Sequence, residues 1–298
     1  MVLLTGKVDR ITLEISEYLH PLSDKIETQM ASLSPPEVRE TAKRLYNDLS
    51  AVCGSIENLC ISDKPCSSLV IATLLRTLLE CCISIFAFCR SPTARALLYL
   101  QHRNIIRLKA LCAAREHIGC PVFPKSTERV PGTLQALNEI RQILATNGAD
   151  FLDAKRIDGK DAGEMLKQAL IPGKEKPNWF RDRWYPESRS DILKTEGLGY
   201  LYVFFYRGFC SAVHADTMGA EMLAGLDRNH AVFLSLMLWG CALYRMAETF
   251  KFRMPAEYKN LLRNHFYGFL HWPHGSEPRT QQDIDKRREQ IPENLGSV

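Results

Sequence analysis

The chain has 298 residues, 46% of them hydrophobic and 24% charged, which is the balance of a soluble globular protein with ample material for a core. Its 38 Lys and Arg against 34 Asp and Glu leave a net charge of +4, which admits a polyanionic partner without demanding one. The opening MVLLTGKVDR meets charge after four apolar residues, which excludes a secretory signal, and a cytoplasmic location is expected. Ten cysteines fall mostly inside apolar helical runs with no C-x-x-C pair, so they read as reduced core residues; no metal site and no cofactor is expected.

The first thirty residues carry helical periodicity through Val8, Ile11, Ile15, Leu19, Ile26 and Met30, with Pro21 expected to kink or split the element. Ser34-Pro-Pro opens a second helix, about Glu37 to Leu59, because proline is tolerated in a first turn. A mostly apolar third helix follows from about Cys66 to Phe88. Ser91-Pro-Thr signals the start of a fourth, about Thr93 to His117. A Pro-marked loop leads to a fifth, about Thr133 to Ala145, and a short helix is expected near Ala162–Ala169.

Residues 174–194 form a polar, aromatic connection holding Trp179, Arg181, Arg183, Trp184 and Tyr185. It reads either as a lid over a site or, preferably, as a strap packing its aromatics onto the core. A helix from Leu198 to Leu223 comes next, then one capped by Asp227 from about His230 to Phe252, and a last one near Ala256–Phe266. Two apolar stretches tempt a membrane reading: 66–89 is interrupted by Arg76 and Glu80, and 231–244 is too short to span, so both are read as core helices and no membrane partner is expected. No strand alternation persists. The fold class is all-α, a bundle of about eight helices, divided into an N-terminal pair (1–62), a main domain (63–270) and a polar tail (271–298).

Chemistry concentrates in GYLYVFFYRGFCSAVHADTM, residues 199–218. On a continuous α-helix, Arg207, Ser211 and His214 share one face with Tyr200, Val203 and Met218. A guanidinium can hold a phosphate, and an imidazole can exchange a proton near neutral pH. Together they suit RNA cleavage through the 2′-hydroxyl, with His214 and Arg207 as catalytic residues. The bland alternative is a polar lock fastening two helices. Arg76 and Glu80 are the only charges between Cys66 and Cys89 and share a helix face. Glu80 either orients Arg207 or His214 across a helix contact or pairs within its own helix. Arg95, Tyr99, Arg103 and Arg107 form a basic stripe on the fourth helix, which suits nucleic acid or is an ordinary solvated face.

LLRTLLE at 74–80 followed by YRGFCSAVHADT at 206–217 resembles an uncharacterised bacterial all-helical family, in which an Arg-x-x-x-Glu helix is paired with a later aromatic–Ser–His helix. The six residues between Arg207 and His214 also resemble the Arg–His motif of the HEPN superfamily, although Gly208 stands where active members carry a polar residue. That resemblance implies a dimeric, metal-independent endoribonuclease, a toxin or anti-phage effector with an antitoxin or defence partner. In it His214 would be the general acid or base, Arg207 the phosphate-holding cation, and Arg76, Glu80 and Ser211 supporting residues.

Overall fold

A computed structural model describes residues 6–62, 65–116, 129–202, 206–213 and 226–254. It is all-helical: among the described residues there is no strand, and Leu152 and Phe180 meet in an isolated antiparallel bridge. The chain forms two compact units, residues 1–92 with 187–298, and residues 93–186. The expected helix at 256–266 and the tail from 271, with His271 and His274, lie outside the described residues.

In the first unit, α1 (Arg10–Met30) begins at Asp9, whose carboxylate accepts from the backbone N–H of Thr12 at 2.7 Å. It is one continuous helix: Pro21 neither splits nor ends it. Pro21 points to solvent while Leu19, Leu22 and Ile26 face inward, so the lost hydrogen bond and the ring fall on the side away from the core. α2 (Pro36–Ile61) starts on a proline at its first position. α3 (Ser68–Cys89) buries Ile71, Leu75, Leu78, Leu79, Cys82 and Phe86 against α2 and against the long helix Arg228–Phe250. α1 and α2 both pack on that last helix, which is why residues 1–62 belong to this unit.

Both α3 and Arg228–Phe250 are long and apolar enough to cross a membrane by length and composition. The second is longer than its apolar run suggested, because Asp227 caps it early, accepting from the N–H of His230 at 2.7 Å. Here the two pack on each other and on α2. Cys82 and Cys241 are buried there, and Cys53 lies 3.7 Å from Ser235 Oγ.

The second unit holds α4 (Pro92–Glu116), α5 (Arg129–Asn147), a 3-10 turn (Gly148–Phe151), α6 (Ala154–Ile157) and α7 (Ala162–Ala169). Ile105, Leu108, Leu137, Ile140, Phe151, Leu166 and Phe180 form its core. Residues 174–186 lie on this core as a strap. Arg181 N–H donates to Phe151 O at 2.8 Å, and Asp153 N–H to Trp179 O at 2.9 Å. Phe180, Trp184 and Tyr185 are buried, and Trp184 meets Tyr99 edge-on with centroids 5.5 Å apart. Burying these three rings holds the segment down, which leaves no hinged cover. Within it Glu175, its side chain fully buried, accepts from Arg115 Nη1 at 2.5 Å and Arg141 Nη1 at 2.6 Å.

Candidate functional site

The first unit continues through α8 (Arg189–Thr195), a single turn α9 (Gly199–Leu201) and α10 (Arg207–Val213), followed by α11 (Arg228–Phe250). The expected uninterrupted helix from 198 differs here: the backbone at Tyr202 and Tyr206 is π-helical. A π turn closes i→i+5 hydrogen bonds and so carries an extra residue. Ser211 lies in α10 one turn beyond Arg207, with its side chain outside the described residues, as is that of Tyr200. His214, Val203 and Met218 also lie outside them.

What the π turn presents is a pair of tyrosines. The rings of Tyr202 and Tyr206 stack with centroids 5.3 Å apart and planes 10° from parallel. Three guanidiniums surround the pair. Arg76 and Arg189 sit over Tyr206 at 6.0 and 5.5 Å, and Arg207 over Tyr202 at 5.7 Å. Ring faces carry negative electrostatic potential, so cations gather there.

Glu80 is the carboxylate that ties this cluster together. Tyr206 Oη donates to its Oε1 at 2.7 Å. Arg189 Nε lies 2.7 Å from Oε1 and donates to Oε2 at 2.8 Å. Glu80 thus pairs with Arg189, neither with Arg76 on its own helix nor with Arg207. The carboxylate's ion-pair partner comes from α8. Glu80 and Arg189 are about a third exposed, which is half-buried and not the sealed environment the apolar helix suggested. Burial raises the Tyr206 phenol well above its ordinary range, and the neighbouring Glu80 raises it further. It therefore stays protonated and keeps donating.

With Glu80 engaged, Arg76 and Arg207 make no ion pair or hydrogen bond within the described residues; each has a tyrosine ring instead. Arg76 is half-buried on α3 and Arg207 is exposed on α10. The arrangement offers unneutralised guanidiniums beside an aromatic stack, which can bind an anion carrying a planar group. Tyr202 and Arg189 escaped the sequence reading, and Tyr206 entered it only as the first residue of the quoted motif. The four-residue spacing of the tyrosines was the available signal, whereas nothing local pointed to Arg189.

The basic stripe on α4 is only partly open. Tyr99 is committed to Trp184, Arg95 is half-buried, and Arg103 and Arg107 are exposed. No group of three or more His, Cys, Asp or Glu side chains that could hold a metal occurs among the described residues.

An all-helical body carrying an Arg-x-x-x-Glu helix, clasped to a π-turn tyrosine and an arginine from a third element, defines the class. The family profile of DUF5677, a family of unknown function, matches residues 43–231, more than half of the chain, and the protein belongs to that family. The matched span contains every residue of the cluster, from Arg76 to Arg207. No curated protein and no solved structure matches the chain.

Proposed function

We propose that this protein is a metal-independent endoribonuclease of the HEPN type that works at the face formed by Arg76, Tyr202, Tyr206 and Arg207, with His214 completing it. The observation that carries the reading is the pair of guanidiniums, Arg76 and Arg207, left without a carboxylate on either side of a stacked tyrosine pair. A phosphodiester supplies the missing negative charge, and a base supplies a planar partner for the rings. In this mechanism His214 takes the proton of the 2′-hydroxyl. The 2′-oxygen attacks phosphorus, and the bond to the 5′-oxygen breaks, that oxygen leaving with a proton from water. The products are a 2′,3′-cyclic phosphate and a free 5′-hydroxyl. Arg207 holds the non-bridging oxygens as charge builds on them.

The test is cleavage of RNA in chelator by the purified protein. His214→Ala should lower the rate by about 10²–10⁴-fold, and Arg207→Ala should also lower it, with the melting temperature kept. Cleavage unchanged in His214→Ala overturns the reading. Expression of an active nuclease of this kind should arrest growth as a toxin or anti-phage effector does, and His214→Ala should relieve the arrest. A homodimer and a neutralising partner protein belong to the same proposal.

A second reading is favoured by one observation: Glu80 is fully used inside the chain, by Arg189 and Tyr206. In that case the cluster is a polar lock within a helical binding or scaffold module. Substitutions at Glu80 would then lower the melting temperature, and no variant of Arg207 or His214 would change any processing of RNA.

A further inference from the structure

The two units differ in charge. Between Thr93 and Pro186 there are 16 Lys and Arg against 10 Asp and Glu, a net of +6; the whole chain is +4, so the remaining residues carry −2. The excess in the second unit is not evenly spread. α4 has no acidic residue before Glu116 at its end. Its inner side buries His102, Ile105, Leu108 and Cys112. Its outer side exposes Arg103 and Arg107, Ile106 at 58%, and Ala110, Ala113 and Ala114.

Three other basic side chains of this unit are matched by carboxylates. Lys109 pairs with Asp182, and Arg115 and Arg141 share Glu175. Arg103 and Arg107 have no ion pair or hydrogen bond within the described residues. They stand four residues apart on one helix face, where like charges repel by a few tenths of a kcal/mol. Two unmatched guanidiniums on a face of small side chains form a surface that a chain of phosphates can approach closely.

We propose that this outer face of α4 is a docking surface for the sugar–phosphate backbone of single-stranded RNA, engaged through Arg103 and Arg107 at phosphates other than the scissile one. The choice of RNA rests on the nuclease reading above; the surface itself rests on charge complementarity and is tested separately. The face binds backbone and reads no sequence, because two guanidiniums on a convex helix reach phosphates and not base edges. The exposed Ile106 adds apolar contact to the riboses.

The experiment is binding of a labelled ~20-nucleotide single-stranded RNA to the full chain carrying His214→Ala, across a salt series. This background removes cleavage if the nuclease reading holds, so binding is read alone. Arg103→Gln with Arg107→Gln should weaken binding and reduce the slope of log affinity against log salt by about 1.4, the value for two single-strand phosphate contacts. Arg103→Lys with Arg107→Lys should restore the slope, because the charge is kept. Lys155→Gln with Lys160→Gln, exposed positions outside α4, should leave the slope within error of the parent. Circular dichroism should report the same melting temperature for all four proteins. An unchanged slope in the glutamine variant overturns the proposal. So does a parent that ignores RNA but binds vesicles of anionic lipid through the same arginines. A parent that still cleaves RNA with His214→Ala, yet binds it through Arg103 and Arg107, sinks the nuclease assignment and leaves the docking surface standing.

Discussion

Glu80 accepts one hydrogen bond from a phenol and an ion pair from a guanidinium, and each partner comes from more than a hundred residues away in sequence. Hydrogen bonds to a charged group contribute about 1.5–3 kcal/mol when buried, and partial exposure reduces that here. Tyr206→Phe should therefore destabilise the protein by about 1 kcal/mol in urea unfolding, with the denaturant slope unchanged. Glu80→Ala should cost more than Tyr206→Phe, because it leaves both the phenol and Arg189 without their acceptor. Equal costs would mean that Arg189 turns to solvent without penalty. Glu175 is the counterpart in the second unit. Burial alone would raise its carboxyl, but hydrogen bonds from Arg115 and the Gly173 N–H outweigh burial and hold it below its usual range. A carboxylate lowered in the folded state contributes stability above its unfolded value, and that contribution fades as pH falls through the folded one. Residues 93–186 should thus lose hydrogen-exchange protection below about pH 4, and Glu175→Gln should flatten that acid slope. The same substitution should cost about 3–5 kcal/mol at neutral pH, since it leaves two guanidiniums beside a neutral amide.

At the scale of elements, α1 shows how an exposed proline is tolerated. Pro21 withholds a donor from the helix on its solvent side, while Ile15, Leu19, Leu22 and Ile26 carry the packing. Pro21→Ala should restore the hydrogen bond and raise stability by about 1–2 kcal/mol, the helix gain less the loss of unfolded-state restriction. A fall in melting temperature would show that the proline sets a bend on which packing depends. The π turn makes the opposite case. The start of α11 was readable because Asp227 caps it locally, and Asp9, Asp161 and Ser188 cap α1, α7 and α8 in the same way, each accepting from a backbone N–H three residues on. A π turn leaves no such mark in composition, so its place was not legible in the residues around it. The aromatic connection went as preferred: three rings in a short stretch had more to gain by burial than a mobile cover could supply.

For the molecule as a whole, the thiols are uniform. All nine described cysteines are free and buried or half-buried, and burial pushes Cys60, Cys81, Cys89 and Cys241 up to about 12. Thiolate is the reactive form, so these four should alkylate far more slowly in the native protein than in urea at the same pH, as mass spectrometry of labelled peptides would read. Adding a reductant should leave the melting temperature unchanged. Rapid native labelling of Cys82 or Cys241 would mean that the contact between α3 and α11 opens readily.

What was settled by the order of residues is whatever depends on near neighbours. Apolar spacing, caps and prolines place the helices within a few positions, and the apolar helical surroundings of the cysteines mark them as core residues, because each of these acts over one or two turns of chain. Arg76, Glu80 and Arg207 were likewise legible as unusual charges in apolar surroundings. Which of them meet was decided only in three dimensions. Glu80 takes Arg189 because α8 returns to α3 after a connection of uneven composition, and Arg207 lies over the ring of Tyr202. Ion pairs between distant segments depend on distances of a few ångströms, and helical periodicity carries no information about those distances.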